Sequence, residues 1–293
     1  MLFSIIIPTY NRADFLKEVL QTVLFQSYPF FEVIIVDDGG NDNTESVVKA
    51  FEDNRIRYFK KGNEERAAAR NFGTMKSVGK YITFLDSDDI LLPNHFENAK
   101  LFISRNNYPD WFHLPYAILD RGNVVFDTSV LTATNGEELL NGNFLSCMGV
   151  FLKRDIALQN LFNEDRDLSG SEDHELWMRI AARHELKVGK SLSSVLVQHD
   201  SRSVMEIIPS KLINRQNLFL KYVFGDSLTS KFIGENSKRV YCNSYSYVSL
   251  HLALTGKNKI LSFSYFLRSV IIYPKFLFQR RASAIIKHLF FSY

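Results

Sequence analysis

The chain has 293 residues, and 46% of them are hydrophobic, which allows a sizeable core and excludes wholesale disorder. Residues 1–200 carry 21 basic and 29 acidic side chains (−8), whereas residues 201–293 carry 14 and 3 (+11). The net charge of +3 therefore hides an acidic body and a basic tail. A basic tail is typical of proteins that meet an anionic partner, such as a membrane surface or a nucleic acid.

Several features of the sequence predict a cytoplasmic protein. Cys147 and Cys242 form no paired-cysteine motif, which favours free thiols in a reducing compartment. The first residues lack the basic segment and small-residue cleavage site of a secretory signal. No apolar run reaches the roughly 18–20 residues of a spanning helix.

Short apolar runs alternate with amphipathic segments over the first ninety residues. Strands are expected at residues 5–7, 33–36, 56–59 and 81–85, and helices at 13–26, 44–51 and 67–77. This order predicts a doubly wound α/β domain. Mixed strand and loop follow over residues 110–170, then a helix at 172–182 and a last strand at 195–198.

Polar clusters follow three of the expected strands, at residues 8–12, 37–38 and 86–89. In a doubly wound sheet, ligands bind at the carboxyl ends of the strands. Carboxylates gathered at one sheet edge repel each other, so they require a cation or hydrogen-bond donors. The sequence therefore predicts a binding site at this edge.

The chain resembles the family 2 glycosyltransferases, which have the GT-A fold. The resemblance covers residues 1 to about 200, and the motifs together are far more specific than any one alone. The matching segments are Ile7-Pro8-Thr9-Tyr10-Asn11-Arg12, Val36-Asp37-Asp38-Gly39-Gly40, Ala69-Arg70-Asn71, Leu85-Asp86-Ser87-Asp88-Asp89 and Glu172-Asp173-His174-Glu175-Leu176-Trp177-Met178-Arg179.

The resemblance implies a nucleotide-sugar donor bound with Mn²⁺ or Mg²⁺. It assigns metal ligation to Asp88 and places Asp86 nearer the donor ribose or sugar. An Asp-X-Asp after a strand offers the hard oxygen ligands that these ions prefer. The alternative is an acidic loop that caps the next helix.

The nucleotide itself is expected to meet residues from four segments. Tyr10 can stack on the base, and Asp38 or the adjacent Asp37 can accept from a pyrimidine N3–H, which favours a uridine nucleotide. Arginines near the third helix can pair with the diphosphate. Tyr10 as an ordinary loop aromatic and Arg70 as a structural ion pair to the strand-end aspartates stay open. The predicted nucleotide-binding residues are Pro8, Thr9, Tyr10, Arg12, Asp37, Asp38, Arg66, Arg70 and Asp86.

Two positions depart from the family pattern. Glutamates 64 and 65 stand where the family usually has glycines before the third helix, and Gly40 stands where it often has serine. The glutamates put the detailed contacts of that loop with phosphate and sugar in doubt.

The resemblance also implies inversion at the anomeric carbon, with Asp173 as the base. An acceptor hydroxyl needs a base to remove its proton as the new bond forms. Glu172, Trp177 and Arg179 are expected to support the acceptor side. The alternative is that these acidic residues only complement a helix dipole.

His199 follows the last expected strand, where relatives of this family often have a histidine near the metal or diphosphate. An imidazole there would suit Mn²⁺ better than Mg²⁺. The open alternative is an ordinary loop histidine.

Residues 257–293 interleave aromatic and basic side chains, and no acidic residue follows Glu235. This composition favours peripheral contact with the cytoplasmic membrane over nucleic-acid binding. The alternative is a helical subdomain that packs on the catalytic domain or on a second copy in a homodimer.

The predicted organisation is a GT-A catalytic domain over residues 1–205 and a basic, aromatic, helical region over 206–293. Within the catalytic domain, residues 1–100 form the nucleotide-sugar half and 101–205 the acceptor half. The predicted function is an inverting, metal-dependent transferase that moves a sugar from a nucleotide-sugar, expected to be a UDP-sugar, to a glycan or polyprenol-linked acceptor of surface polysaccharide. A catalytically silent nucleotide- or carbohydrate-binding subunit is the alternative. The absence of G-x-G-x-x-G after the first strand argues against a Rossmann dehydrogenase.

Overall fold

The structure is a computed structural model that describes residues 2–120, 122–130, 135–198, 208–256 and 258–291. The chain divides into two compact units that interleave in sequence. The first unit comprises Met1–Asn135, Leu145–Arg166 and His184–Asp200, and the second comprises Gly136–Phe144, Asp167–Arg183 and Ser201–Tyr293. The predicted domain boundaries at residues 100 and 205 follow chain order and stay a prediction. The compact units differ from them because the segment with the expected base clusters with the C-terminal helices.

A mixed seven-stranded sheet forms the centre of the first unit. Its strands run in the spatial order β10-β6-β9-β4-β1-β2-β3. They are β1 (Phe3–Thr9), β2 (Phe31–Asp37), β3 (Ile56–Lys60), β4 (Tyr81–Phe84), β6 (Trp111–His113), β9 (Val150–Lys153) and β10 (Leu186–Val188). β1 pairs in parallel with both β2 and β4, and Thr9 lies opposite Asp37. β9 runs antiparallel to β4 and β6, so the sheet is mixed.

A smaller four-stranded sheet accompanies it, in the order β5-β11-β7-β8. Its strands are β5 (Ile90–Leu91), β7 (Tyr116–Asp120), β8 (Asn123–Asp127) and β11 (Ser194–Gln198). The strand expected at residues 195–198 is thus confirmed as β11, but it belongs to this second sheet.

Five helices complete the first unit: α1 (Ala13–Leu24), α2 (Thr44–Lys49), α3 (Glu65–Lys76), α4 (His95–Arg105) and α5 (Arg154–Gln159). In α1 the buried apolar side chains recur every three or four residues, at Leu16, Val19, Leu20 and Val23. This spacing gives one apolar face, which explains why the segment packs as a helix. The helix ends at Leu24, two residues before the predicted end.

Aromatic side chains fill much of the core between the sheet and its helices. Phe3 stacks on Phe96 at 5.2 Å between ring centroids, and Phe112 stacks on Phe151 at 4.9 Å. All four are fully buried. Such pairs add to the stability that burial of their apolar area provides.

The second unit is helical. Its helices are α6 (Glu172–Ala181), α7 (Pro209–Gly225), α8 (Ser227–Ile233), α9 (Ser237–Thr255), α10 (Lys259–Ile272) and α11 (Arg280–Phe290). Arg183 pairs with both carboxylate oxygens of Asp226 at 2.7 and 3.0 Å. This bidentate pair ties the end of α6 to the turn before α8, and it holds the pKa of Asp226 well below its usual range.

Candidate functional site

The ends of β1, β2 and β4 bring three predicted segments of the site together. The backbone N–H of Asp38 donates to the Thr9 carbonyl at 2.9 Å, just beyond the last paired residues of β1 and β2. Leu85 N–H donates to the Ile6 carbonyl, also at 2.9 Å, which places the acidic loop 86–89 beside the end of β1. The parallel order of the strands therefore confirms the expected convergence at one edge.

Three carboxylates of the acidic loop lie close together. Asp86, Asp88 and Asp89 each offer an oxygen, and these oxygens all lie within 4.8 Å of one another. Arg70 donates to Asp86 at 2.7 Å, and Arg12 forms an ion pair with Asp88. The two arginines offset the repulsion among the carboxylates.

The third carboxylate of this loop has a structural partner. Asp89 is buried, and its Oδ1 accepts from the backbone N–H of Val197 in β11 at 3.1 Å. This bond ties the acidic loop to the strand that precedes His199. His199 itself lies outside the described residues, so its predicted role stays a prediction.

The aspartates after β2 are both buried but have different partners. Asp37 accepts from Gly40 N–H and from the Tyr58 hydroxyl, both at 2.7 Å. Burial and the neighbouring Asp37 raise the pKa of Tyr58, so its hydroxyl stays protonated as a donor. Asp37 therefore keeps acceptor capacity on both oxygens.

Asp38 accepts more protein donors than Asp37. The backbone N–H groups of Glu64 and Glu65 donate to it at 2.7–3.1 Å, and Lys61 Nζ donates at 2.9 Å. Burial alone would lower the pKa of Lys61, but its bonds to Glu64 and Asp38 outweigh this and raise it. Asp38 thus anchors the start of α3, and Asp37 has more capacity left for a ligand.

The remaining predicted nucleotide contacts fall at the same edge. Tyr10 is 48% exposed, so its side chain is accessible to a ligand. Pro8 lies opposite Val36 in the β1–β2 ladder. Thr9 is buried, and its Oγ1 has no hydrogen-bond partner in the described part of the chain. Arg66 is half-buried in the first turn of α3.

The backbone conformations at Glu65 and Gly40 bear on the two departures from the family pattern in opposite ways. Glu65 has φ +77°, a left-handed conformation that costs a non-glycine residue about 1–2 kcal/mol. A glutamate therefore occupies a position whose geometry suits glycine. At Gly40, a Cβ atom would lie 2.9 Å from Asp37 Oδ1 and 3.1 Å from Asn11 N, so a serine would be crowded here.

In the second unit, the residues of the predicted base lie in the first turn of α6. Asp173 is half-buried, and its Oδ2 accepts from the Asn143 amide at 2.9 Å. Glu172 is buried, and its Oε2 accepts from Gly170 N–H at 2.5 Å. Asp173 is the more accessible of the two carboxylates, as a base that meets an acceptor must be.

The other predicted acceptor-side residues are engaged within the protein. Trp177 is fully buried, so its support of the acceptor side is limited to packing. Arg179 donates to both oxygens of Glu175, at 2.6 and 3.0 Å, one turn earlier in α6. These contacts stabilise the helix that carries Asp173.

A C-terminal helix, α7, contacts the turn that precedes α6. The sequence did not indicate this contact. Arg215 of α7 donates to the Ser169 carbonyl at 3.2 Å, and Gln216 donates to Ser171 Oγ at 3.2 Å. Gly170 has φ +92°, a left-handed conformation that favours glycine, and a Cβ atom there would lie 2.4 Å from Arg215 Nη1. α7 therefore packs on the turn before α6, and the alternatives for residues 257–293 stay open.

A tyrosine of α9 lies in the electrostatic environment of Asp173. Burial raises the pKa of Tyr247, and the charges of Asp173 and Glu172 add to this, whereas Arg215 and Arg281 oppose it. The guanidinium of Arg215 lies 5.9 Å from the centre of the Tyr247 ring.

Of the site residues that sequence reasoning missed, only Lys61, directly after β3, could have been anticipated from its position. Asn143 and the helical partners of Asp173 have no motif.

The chain was compared with known proteins. The model of the family "Glycosyl transferase family 2" matches residues 4–122. The chain is 32% identical over 180 residues to the Escherichia coli UDP-Glc:alpha-D-GlcNAc-diphosphoundecaprenol beta-1,3-glucosyltransferase WfgD, covering 61% of this chain and 69% of WfgD. The chain spans only 33–38% of the length of three Rickettsia glycosyltransferases to which it is 32–33% identical.

Solved structures show the same fold. Staphylococcus aureus TarS 1–349 in complex with UDP-GlcNAc aligns with TM-score 0.64 at 16% identity, covering 93% of this chain and 89% of that one. The mannosyltransferase PcManGT of Pyrobaculum calidifontis, in complex with GDP-Man and Mn²⁺, aligns with TM-score 0.56 at 16% identity, covering 98% and 87%.

The fold is thus the GT-A fold, as expected. The chain belongs to glycosyl transferase family 2.

Glycine at position 65 is expected to stabilise the protein. The Glu65→Gly substitution relieves the left-handed strain but adds freedom to the unfolded chain, so the net gain is about 0.5–1 kcal/mol. Chemical denaturation measures this difference. Glu65→Ala keeps the strain and should show no such gain, whereas Glu64→Gly, at φ −135°, should lower stability. A Glu65→Gly protein no more stable than Glu65→Ala would contradict the assignment of strain.

Proposed function

We propose that the protein is an inverting, metal-dependent glycosyltransferase that uses a nucleotide-sugar donor. The observation that carries the proposal is the group of Asp86, Asp88 and Asp89, paired with Arg12 and Arg70 at the carboxyl edge of the sheet. Carboxylates and guanidinium groups at one edge suit a divalent cation and a diphosphate together.

The carboxylates fit a Mn²⁺ or Mg²⁺ ion. All three offer hard oxygen ligands, and Asp89 is already fixed by Val197, which leaves Asp86 and Asp88 as the residues that would hold the ion. A bound cation would stabilise the negative charge that develops on the departing diphosphate. Arg12 and Arg70 are the cations of this chain nearest to those ligands, and they are suited to pair with the same phosphates.

We propose that the nucleotide of the nucleotide-sugar donor is a uridine nucleotide. The relative WfgD, which is 32% identical over 180 residues, is named for UDP-Glc. Asp37 has acceptor capacity for a pyrimidine N3–H, and the exposed Tyr10 side chain is accessible to the base. The spare capacity of Asp37 favours it over Asp38 for this contact.

The acceptor is proposed to be a hydroxyl of a glycan or polyprenol-linked saccharide in surface-polysaccharide assembly. The name of WfgD specifies such an acceptor, a sugar on diphosphoundecaprenol. Asp173 would remove the hydroxyl proton while the oxygen attacks the anomeric carbon opposite the departing nucleotide. Its bond from Asn143 would orient the carboxylate.

A silent binding subunit is the second candidate. It would retain nucleotide binding at the carboxyl edge and lack transfer. The half-buried, hydrogen-bonded Asp173 favours the enzyme, because a subunit that only binds has no use for an accessible carboxylate held in this way.

Replacement of the proposed base should separate binding from chemistry. The Asp173→Asn protein is expected to bind UDP normally and to lose transfer by a factor of about 10²–10⁴, the range for loss of general-base catalysis. Calorimetry measures binding, and release of UDP on transfer to a lipid-linked acceptor measures activity. Asp167→Asn, an exposed carboxylate on the same segment bonded to Asn214, is the matched control. Near-normal transfer by Asp173→Asn would refute the assignment.

Replacement of the proposed metal ligand should remove the effect of metal on nucleotide binding. We expect Mn²⁺ to strengthen UDP binding by native protein, and Asp88→Ala to lose this gain, on the order of 100-fold or about 2.7 kcal/mol. Titration calorimetry with and without Mn²⁺ tests it. Asp53→Ala breaks another aspartate–arginine pair, with Arg55, and should retain the gain. An undiminished Mn²⁺ effect in Asp88→Ala would exclude this residue as a ligand.

Asn143 is proposed as a positioning residue for Asp173. Asn143→Ala should lower kcat about 10-fold, the value of one hydrogen bond to a charged group, and leave the donor KM unchanged. Steady-state kinetics separates the two constants. Asn141→Ala, in the same loop but bonded to Glu138 and Arg239, should leave kcat near the native value. Equal losses in the two variants would indicate that the loop acts only through stability.

A further inference from the structure

The solvent-exposed side of α10 contains large apolar side chains. Ile260, Phe263, Leu267 and Ile271 are all exposed, Ile260 at 90% and Ile271 at 77%. Because an α-helix turns about 100° per residue, this spacing places all four on one stripe about 80° wide. The stripe is the apolar face of an amphipathic helix, yet it points away from the protein.

The opposite face of α10 is buried and contains small polar residues. Ser262 and Ser269 are fully buried there. Ser262 Oγ donates to the Ser249 carbonyl at 2.7 Å, and Ser249 Oγ donates to the Ser262 carbonyl at 2.8 Å, so α9 and α10 approach closely. A helix surrounded by water normally buries its large apolar residues and exposes its polar ones. In α10 the buried face does include Tyr265 and Phe266, but four large apolar side chains are exposed while two serines are buried.

Further exposed apolar residues lie on neighbouring elements. Phe290 of α11 packs edge-on against Phe263 at 6.1 Å between ring centroids and is itself exposed. Phe278, in the short helical turn between α10 and α11, is 92% exposed. The exposed apolar residues are therefore not confined to one helix. We define the outer face as the exposed apolar residues named above on these elements: Ile260, Phe263, Leu267, Ile271, Phe278 and Phe290.

Basic residues border the outer face. By the same helical spacing, Lys259 and Arg268 lie on opposite sides of the stripe, each about 90° from its centre, and both are exposed. Lys275 is exposed in the turn that follows, and Lys287 is exposed in α11. No acidic residue follows Glu235 in the sequence, so nothing acidic on these elements offsets the positive charge.

We propose that the outer face docks on an anionic lipid surface. Apolar side chains bordered by Lys and Arg fit the boundary between acyl chains and anionic headgroups. The charge distribution favours lipid over a second copy of the chain, because two such faces would bring their basic borders together. Among the described residues, none of the helices has both the length and the hydropathy of a membrane span.

Vesicle binding by the full chain tests this proposal independently of transfer activity. Native protein should co-sediment with phosphatidylcholine vesicles that contain phosphatidylglycerol, and much less with phosphatidylcholine alone. Combined Ile260→Ser, Ile271→Ser and Phe278→Ser substitutions should weaken binding at least about 100-fold, since each buried methylene contributes about 0.8 kcal/mol. The matched control replaces three exposed apolar residues of the first unit, Phe25, Val78 and Val124, by serine and should bind normally.

A second variant set tests the charges with little risk to folding. Combined Lys259→Gln, Lys275→Gln and Lys287→Gln should weaken binding about 100-fold, at about 1 kcal/mol for each residue near the surface. Lys17→Gln, Lys80→Gln and Lys190→Gln remove the same charge from exposed positions of the first unit and should bind normally. Absence of vesicle binding would overturn the proposal, as would equal binding by native and variant proteins. A dimer that dissociates on substitution of the outer face and ignores vesicles would assign the face to a second copy instead.

Discussion

Repulsion among carboxylates at the carboxyl edge of the sheet is the constraint on which the rest of the site depends. Five aspartates follow β2 and β4 within a few residues, and the strand order brings them together. Each has a protein partner that offsets its charge: arginines for Asp86 and Asp88, Lys61 and two backbone N–H groups for Asp38, Tyr58 and Gly40 for Asp37, and Val197 for Asp89. These partners come from β3, α3, β11 and the loops that follow β1, β2 and β3, so the edge draws together several elements of the first unit.

The same ion pairs determine which charges a bound ligand would have to supply. Arg12 and Arg70 are engaged with the carboxylates, and Arg70 is almost fully buried. Removal of charge from a carboxylate would leave its arginine without a counterion, which is costly for a buried group. A ligand that brings both a cation and a diphosphate would satisfy both sides of these pairs at once.

Much of the first unit was predictable because its signals are local. The buried strands β1 and β2 are apolar runs, the helices α1 and α3 have helical spacing, and polar residues at strand ends meet wherever strands are parallel. The placement of β11 in a second sheet was not predictable, because a short strand does not specify its neighbours. Nor was the role of Asn143, since it depends on a loop that meets α6 by tertiary packing.

The C-terminal region was the least predictable part. Its composition indicated helices and a basic, aromatic surface, which the structure displays, but not that α7 would supply partners for the turn before α6. Gln216 and Arg215 occupy ordinary positions in an amphipathic helix, and their contacts with Ser171 and Ser169 follow only from three-dimensional packing. The compact units do not follow the predicted boundary between catalytic region and tail, which stays a prediction.

The packing of α9 against its neighbours also limits how membrane docking and chemistry can be separated experimentally. Phe266 of α10, Phe276 in the turn and Ile285 of α11 share one buried cluster with Cys242 of α9, the helix that also carries Tyr247. A chain shortened before α10 would expose that cluster to water and loosen α9 beside the proposed base. Loss of activity in such a fragment would not show whether lipid binding is needed for transfer. Surface substitutions that keep every helix can separate the two effects.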